Sequence, residues 1–298
     1  MKKLFFYNRY TNAVEEEPVM YGKMLQLLYS TTIGQLSMLL LIKRKIFSML
    51  LGWWYSRPAS RRQIPQFIEK FDIKQDSFEK KVTDFTSFND FFVRKLKPYC
   101  RPIAPNYDVI SSSVDGRHLA YEDVNDIDSF FVKGEVLDID DLIKNEKLAR
   151  QFAHGSILFS RLSIFDYHRF HFPVTCTPGK TFLINGKYSS VHPFAVKENI
   201  GIFLENKRMS TLLHTKKCGD ILMIEIGATG VGSIKQTFTP NELILRGSEK
   251  GFFEFGGSTV ILIFEKGKIK FSDDLLTNTH NGLETYILMG DEIARIVQ

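Results

Sequence analysis

Cysteine is scarce in this chain, and the common metal and nucleotide motifs are missing. The 298 residues include 3 cysteines, Cys100, Cys176 and Cys218, and no two of them form a CxxC pair. Such a sparse, odd set argues against a disulfide framework and a structural zinc site and favours reduced thiols. The glycine-rich stretch IEIGATGVGSI (224–234) lacks the GxGxxG register, and no helical pattern follows it. A dinucleotide site is therefore not expected there.

The N-terminal region lacks a secretion signal and a long uninterrupted apolar run. The first twenty residues contain three glutamates and no small-residue cleavage site, so we expect the active part to face the cytoplasm. The apolar segment 22–55 is split by basic residues 43–45, whereas a spanning helix needs roughly 20 apolar residues in a row. This favours an amphipathic helix or helical hairpin on a bilayer surface, with Trp53, Trp54 and Tyr55 at headgroup depth. A buried helix of a soluble domain is the alternative.

The remaining composition and patterning predict an α+β fold. Hydrophobic residues make up 44% and charged residues 24% of the chain, which is typical of a globular protein. Apolar residues at three- and four-residue spacing predict short helices between 58 and 95. After Pro98, short apolar stretches alternate with turn residues, which predicts antiparallel strands. We therefore predict a helical, membrane-associating region (1–85) followed by a mostly antiparallel, β-rich catalytic domain (86–298).

Two short stretches carry candidate acid and base residues. SSSVDGRH (111–118) places Asp115 before a glycine, a pair that on its own is usually a turn. RLSIFDYHRFHFP (161–173) contains His168 and His171, which are candidates for acid–base chemistry. Two packed histidines are the simpler interpretation, and a metal site is disfavoured because HExxH and CxxC patterns are absent.

A third stretch, FEFGGSTVILIF (253–264), places two glycines and a serine directly before an apolar run. A turn that leads into a strand would explain it simply. A conventional hydrolase, however, carries its nucleophile on a strand-to-helix GxSxG elbow, whereas Ser258 enters a predicted strand. Since glycine has no Cβ, the Gly257 carbonyl can adopt strained geometry and lie open to the neighbouring Oγ. With Asp115 as orienting acid and His171 as base, this pattern indicates self-cleavage.

These stretches and several others resemble, in order, the phosphatidylserine decarboxylase family. The similarity runs from about residue 88 to the C-terminus. It includes FFVRKLKPYCRPI (91–103), VDG (114–116), FVKG (131–134), the two-histidine stretch, NKR (206–208), IGATGVGSI (226–234), KGFFEFGGSTVILIFEKG (250–267) and GLETYILMGDEIA (282–294). GGST resembles the variant of one branch, where other members have LGST. The family commonly has a proline where this chain has Ser112-Ser113, and the first 80 residues match only in character.

The resemblance implies that the protein makes its own prosthetic group. The family's charge relay maps onto Asp115, His171 and Ser258, so that His171 takes the Ser258 proton, Asp115 orients the imidazole and Oγ attacks the Gly257 carbonyl. The chain is then expected to break between Gly257 and Ser258. The products would be a β chain (1–257) and an α chain (258–298), with Ser258 converted to a covalent pyruvoyl group as the cofactor.

The resemblance also implies a substrate and a location. The pyruvoyl group would form a Schiff base with phosphatidylserine and withdraw electrons as CO2 leaves, giving phosphatidylethanolamine. His168 would be the acid/base of decarboxylation, and Arg169 and Lys133 are candidates for contacts with the glycerophosphate. We expect a peripheral protein on the cytoplasmic side of the cell membrane, with associated α and β chains and a dimer of such pairs. No nucleic-acid partner and no metal ion are expected.

Two alternatives remain at this point. The first is a conventional serine hydrolase that uses the Asp115, His171 and Ser258 triad without cleaving its own chain. The second is a non-enzymatic membrane-surface protein that keeps the family's shape. The presence of all the key groups argues against the second.

Overall fold

The computed structural model describes residues 3–18, 45–127, 138–189, 191, 196, 200–228 and 233–297. The α-helices within these ranges are α1 (Lys45–Tyr55), α2 (Ile64–Lys70), α3 (Phe88–Phe92), α4 (Ile139–Ile143), α5 (Glu146–Gln151), α6 (Ile202–Glu205) and α7 (Asp273–His280). The strands are β1 (Phe5–Asn8), β2 (Ala13–Glu16), β3 (Val109–Ser111), β4 (Gly116–Tyr121), β5 (Ser156–Leu162), β6 (Arg169–His171), β7 (Thr177–Pro178), β8 (Phe182–Ile184), β9 (Arg208–His214), β10 (Ile221–Gly227), β11 (Ile234–Gln236), β12 (Glu249–Phe253), β13 (Ser258–Phe264), β14 (Ile269–Phe271), β15 (Glu284–Ile287) and β16 (Glu292–Ile296).

A ten-stranded sheet forms the centre of the molecule. Its order is β2-β1-β15-β4-β5-β13-β10-β9-β7, and β8 also pairs with β9. The pairing of β1 with β15 is parallel, and the other pairings in this sheet are antiparallel. Two three-stranded sheets, β11-β12-β6 and β14-β16-β3, lie beside it. The prediction of a mostly antiparallel, β-rich part after Pro98 is confirmed.

Strand β13 lies at the centre of the large sheet, and an apolar core covers each of its faces. It pairs with β5 and with β10 along its whole length, from Ser258 to Phe264. Alternate side chains of a strand point to opposite faces. Val260, Leu262 and Phe264 accordingly enter one core cluster, and Ile261 and Ile263 enter the other. The continuous apolar run at this point therefore reflects a strand covered on both sides.

The N-terminal residues differ from the predicted helical region. Residues 5–16 form the β1–β2 hairpin, and β1 extends the large sheet beside β15. The aromatic run Phe5-Phe6-Tyr7 favours a strand, and Asn12 supplies the left-handed turn residue with φ 52°. This local pattern is strand-forming, although the region that follows it is helical in character.

The helices that precede the β-rich part follow the predicted pattern. A 3-10 turn (Pro58–Gln63) leads into α2, and α3 follows within residues 58–95. Helix α1 covers the end of the predicted surface helix, and residues 19–44 lie outside the described ranges. Among the helices that the structure describes, none is both long enough and apolar enough to cross a bilayer. The domain boundary between residues 85 and 86 stays a prediction.

An aromatic cluster joins these helices to the strand-rich part. Phe67, Phe88, Phe91 and Phe92 from α2 and α3 are buried in one core cluster, against which Phe255 packs. The Phe255 ring lies 5.5 Å from Phe88 and 5.0 Å from Phe92 between ring centroids. The segment just before Gly257 is therefore anchored in the helical region.

A fully buried ion pair ties the second sheet to the large one. Lys250 on β12 donates to Glu225 on β10 at 2.8 Å, and both side chains are completely buried. Gln236 on β11 accepts from Lys250 at 2.9 Å and donates to Glu225 at 2.8 Å. Burial lowers the pKa of Lys250 and raises that of Glu225, but each charge favours the other's ionised form. Since β12 also pairs with β6, this triad helps to fix the histidine-bearing strand.

Candidate active site

The Ser258 hydroxyl is buried and lacks a hydrogen-bond partner. Ser258 begins β13, where it pairs with Leu162 on one side and Gly227 on the other. The residue is completely buried, and its Oγ has no partner among the residues that the structure describes. An unsatisfied buried hydroxyl costs free energy, so its presence at the start of this strand calls for an explanation.

The two glycines before Ser258 differ in backbone conformation. Gly256 has φ 140°, which L-residues with side chains rarely adopt. A Cβ on Gly257 would meet Val191 Cγ2 at 3.5 Å, an ordinary contact. The sharp backbone direction therefore arises at Gly256, one residue before the predicted cut. The Phe255 amide, which donates to Asn89 Oδ1 at 3.0 Å, fixes the entry to this turn.

His168 lies beside this glycine turn. Its ring packs on Phe92, with ring centroids 4.0 Å apart. Its Nδ1 lies 3.1 Å from the Asp166 carbonyl oxygen; a carbonyl can only accept, so Nδ1 carries the proton. The lone pair is then on Nε2, which has no hydrogen-bond partner within the described part of the chain. Burial lowers the pKa of His168 to about 3, and the backbone of Gly256 opposes this shift.

His171 is placed by the loop that carries Asp115. Its backbone amide donates to the Ser113 carbonyl at 2.8 Å, and its ring stacks on Tyr167 at 5.7 Å. Burial lowers the pKa of His171 to about 4, and the negative charges of Glu249 and Asp115 oppose this shift. Its Nδ1 is buried and unpaired with respect to the described residues.

Asp115 is held by groups that the sequence did not indicate. Arg101 Nε lies 2.8 and 3.0 Å from the two carboxylate oxygens, and Arg101 Nη2 donates to Oδ2. The Met289 amide donates to Oδ1 at 2.8 Å. Asp115 is thus close enough to His171 to influence its pKa, but its hydrogen bonds go to Arg101 and Met289. Arg101 comes from RPI (101–103), a stretch that carried the family resemblance, but no local pattern pairs it with Asp115.

The structure brings the Asp115 loop next to His171 and places His168 beside the Gly256 turn, but no described contact joins Ser258 to either histidine. The Asp115 loop adjoins His171 through Ser113, and β6, which ends at His171, follows His168 at the Gly256 turn. Ser258 Oγ and His171 Nδ1 have no partner in the described structure. No group of three or more His, Cys, Asp or Glu residues in the described ranges is arranged to hold a metal ion.

The two basic residues suggested for the glycerophosphate have different outcomes. Arg169 donates to both Glu249 oxygens, at 2.8 and 2.7 Å, and to the Val93 carbonyl, at 2.9 and 2.7 Å. Its guanidinium is committed to these partners, so the suggestion for Arg169 is not supported. Lys133 lies outside the described residues.

Among the residues that the structure describes, three buried histidines predict a loss of stability in acid. Burial lowers the pKa of His118 and His168 to about 3 and that of His171 to about 4, from an ordinary value near 6.5. Between these values the unfolded chain binds more protons than the folded one, so stability is full above about 6.5 and falls as the pH drops towards 3. Urea unfolding at pH 7, 6 and 5 measures this change.

A pair of variants isolates the cause of this pH dependence. His118 is completely buried on β4, where its Nδ1 contacts Ser160 Oγ at 2.8 Å. His118→Gln should reduce the pH dependence, whereas Ser156→Ala, which removes a buried group that does not titrate, should leave it unchanged. An unfolding free energy that stays constant from pH 7 to 5 contradicts the prediction.

Comparison with known proteins identifies the family. Residues 88–295 match the family model described as phosphatidylserine decarboxylase. A phosphatidylserine decarboxylase proenzyme of Chlamydia pneumoniae is 46% identical over 295 residues, which cover 99% of this chain and 98% of that protein. Proteins with the same name from Ruminiclostridium cellulolyticum and Fusobacterium nucleatum are 43% and 41% identical, each over 98% of this chain and 97% of their own length. This chain therefore belongs to the phosphatidylserine decarboxylase family.

Proposed function

We propose that this protein decarboxylates phosphatidylserine to phosphatidylethanolamine with a pyruvoyl group that it makes from Ser258. The observation that carries the proposal is the completely buried, unpartnered Ser258 hydroxyl directly after two glycines at the start of a central strand. Relatives of nearly the same length are named proenzymes, and a proenzyme is by definition processed.

The burial of Ser258 favours self-cleavage over a conventional serine hydrolase. A hydrolase nucleophile must meet an external ester, whereas Ser258 is enclosed by β5 and β10. The carbonyl nearest in the chain belongs to Gly257. Holding nucleophile and carbonyl in one rigid backbone lowers the entropic cost of attack.

The self-cleavage step uses the chain's own groups. His171, which its lowered pKa keeps neutral at pH 7, accepts the Ser258 hydroxyl proton. Oγ attacks the Gly257 carbonyl carbon, the C–N bond breaks as His171 returns the proton to the Ser258 nitrogen, and an ester joins Gly257 to the Ser258 side chain. Loss of the Ser258 Hα and of the Gly257 carboxylate by β-elimination leaves dehydroalanine. Addition of water and loss of ammonia then give the pyruvoyl group.

Asp115 assists this step through its charge. The carboxylate favours the protonated form of His171, and Arg101 and the Met289 amide fix its orientation. The proposed relay is therefore electrostatic in the geometry described above, because the Asp115 carboxylate is hydrogen-bonded to Arg101 and Met289.

His168 is the proposed acid/base of decarboxylation. The pyruvoyl group supplies an electron-withdrawing carbonyl that stabilises the charge left as CO2 departs. His168 holds its Nδ1 proton on the Asp166 carbonyl, so Nε2, which has the lone pair, is the atom that can take up a proton and pass it to the substrate carbon. Phe92, packed on this ring, keeps its surroundings apolar.

The chain's integrity tests the proposal. A denaturing gel and intact-mass measurement of active protein should show two pieces, a β chain (1–257) and an α chain (258–298) that lacks a free N-terminal amine. A serine hydrolase would instead remain a single chain and react at Ser258 with a fluorophosphonate. Catalytically active protein whose chain is unbroken at Gly257 would falsify the proposed mechanism.

The membrane surface is the proposed location of the enzyme. Helix α1 exposes Met49, Leu50, Trp53 and Trp54, and each of these side chains is at least half exposed. Arg57 lies over the Trp53 ring at 4.1 Å, a pairing suited to the headgroup region. In the same helix, the Tyr55 ring lies 4.1 Å from Phe255, close to the predicted cut. The apolar face thus lies near the point where a lipid headgroup must arrive. The dimer of αβ units stays a prediction.

Vesicle binding measures this membrane contact. Trp53→Ser combined with Trp54→Ser should weaken binding to anionic vesicles by about tenfold or more, because each tryptophan contributes buried apolar area. Tyr107→Ser is a matched control, since Tyr107 is also highly exposed but lies outside α1. Equal sedimentation with vesicles for the double variant and wild type would contradict the proposal.

A further inference from the structure

The N-terminal hairpin contacts the C-terminal segment at several separate points. Strand β1 pairs with β15 in register from Phe6 and Glu284 to Asn8 and Tyr286. Arg9 donates to both oxygens of Asp274, at 2.7 and 2.8 Å, and to the Glu292 carbonyl at 2.6 Å. One guanidinium therefore joins the start of α7 to the start of β16.

A buried charge cluster provides a second connection. Arg161 on β5 donates to Glu17 at 3.1 and 2.6 Å, and to Glu284 at 2.9 and 2.6 Å. Glu17 comes from the end of the hairpin and Glu284 from β15, and all three residues are buried. Removal of either carboxylate would leave the Arg161 charge only partly compensated.

Tyr10 holds the turn between β15 and β16. Its hydroxyl donates to Asp291 and accepts from the Leu288 amide at 2.7 Å. Its ring packs edge-on against Tyr286, with centroids 6.1 Å apart. The adjacent amide, that of Met289, is the group that donates to Asp115. Of these two consecutive amides, that of Leu288 donates to Tyr10 of the hairpin and that of Met289 donates to Asp115.

The opposite side of the turn is fastened to the Asp115 loop. The Gly290 amide donates to the Ser112 carbonyl at 2.9 Å, and the Ser112 amide donates to the Asp291 carbonyl at 2.7 Å. The turn and the acid-bearing loop are therefore joined by two backbone hydrogen bonds. Among the residues that the structure describes, Tyr10 is the side chain that the hairpin contributes to this unit.

We propose that residues 3–18 form a clamp on the C-terminal segment, in which Tyr10 is a positioning residue for Asp115. Tyr10 fixes the 288–291 turn so that the Met289 amide stays on the carboxylate. Arg9 and Glu17 retain the α chain after the cut; this second part rests on the self-cleavage proposed above. Although the hairpin lies far from the cleavage point in sequence, it helps to position the acid of the proposed relay.

Hydrogen exchange tests the positioning role in chain that is not cut. In a Ser258→Ala background, Tyr10→Phe keeps the ring but removes the hydroxyl. The Leu288 and Met289 amides should then exchange about threefold to tenfold faster, as expected for loss of one net hydrogen bond. Tyr7→Phe is the matched control, because the Tyr7 hydroxyl donates to Asn12 Oδ1 inside the hairpin, at 3.1 Å. Exchange at these two amides that is unchanged by Tyr10→Phe overturns the positioning role.

Kinetics of the cut separate positioning from general stability. With Ser258 present, Tyr10→Phe should slow self-cleavage about threefold or more, while its melting temperature stays close to that of Tyr7→Phe. A cleavage rate equal to that of Tyr7→Phe argues against the role. If wild-type protein does not cleave at all, the proposed function fails, while the exchange result still decides whether Tyr10 holds the turn.

Retention of the α chain tests the clamp itself. Arg9→Ala should release the small chain from cleaved protein at a lower urea concentration than wild type, as followed by size-exclusion chromatography. Lys3→Ala is the control, since Lys3 pairs with Glu16 inside the exposed hairpin. Release of the small chain at the same urea concentration in Arg9→Ala, Lys3→Ala and wild type overturns the clamp.

Discussion

Ser258→Ala is expected to yield one intact chain of 298 residues that cannot decarboxylate phosphatidylserine. The substitution removes the only atom proposed to attack the Gly257 carbonyl, and with it the precursor of the pyruvoyl group. The loss of both activities should be complete, because Oγ is the proposed attacking atom and Ser258 is the residue that becomes the pyruvoyl group. Mass spectrometry and a phosphatidylethanolamine assay on purified protein measure the two losses.

The control for Ser258→Ala is Ser156→Ala, on the strand β5 that pairs with β13. Ser156 on β5 pairs with Phe264 at the far end of β13, and its hydroxyl donates to the Glu122 carbonyl at 3.0 Å. Ser156→Ala removes a buried hydroxyl from the same sheet but should still cleave and turn over. A Ser258→Ala protein that matures normally would show that the cut is made elsewhere or by another group.

Replacement of the two histidines should separate cleavage from decarboxylation. His171→Asn is expected to block the cut, because the base that accepts the Ser258 proton is lost. His168→Asn should still mature but lose about 10²- to 10⁴-fold in turnover, the usual contribution of a positioned acid/base. Cleavage is followed on denaturing gels over time, and turnover is normalised to the amount of mature α chain.

The same experiment would also show if the roles assigned to His168 and His171 are exchanged. His168 Nε2 is unpaired, and the backbone of Gly256 influences the pKa of this histidine, so His168 is close to the cleavage turn. If His168→Asn blocks maturation and His171→Asn does not, the two assignments are exchanged. His154→Asn removes an exposed histidine outside the site, should affect neither activity and serves as the control.

Local patterns were sufficient for the strands but not for the partners of the site. The apolar run after Ser258 predicted a strand covered on both faces, and β13 is such a strand. The hairpin at residues 5–16 was not predicted, because the segment that follows it is helical in character. Its strand identity depends on pairing with β15, nearly 280 residues away, which no local period reveals.

The electrostatics of Asp115 could not be predicted for a similar reason. Arg101 precedes Asp115 by 14 residues and Met289 follows it by 174, so neither contact follows from spacing along a helix or strand. The same holds for Arg169, whose basic side chain suggested a free phosphate ligand until its partners Glu249 and Val93 were known. Sequence identifies which residues can react, and tertiary packing decides which of them are already committed.

The central location of β13 has a consequence for the order of events in the cell. Seven consecutive residue pairs join it to β5 and seven join it to β10, and these partners are separated by almost sixty residues of chain. The serine reaches its reactive setting only after both neighbours have closed around it. In the proposed reaction, chemical maturation would therefore report that folding is complete, and a misassembled polypeptide would never acquire an electrophilic ketone.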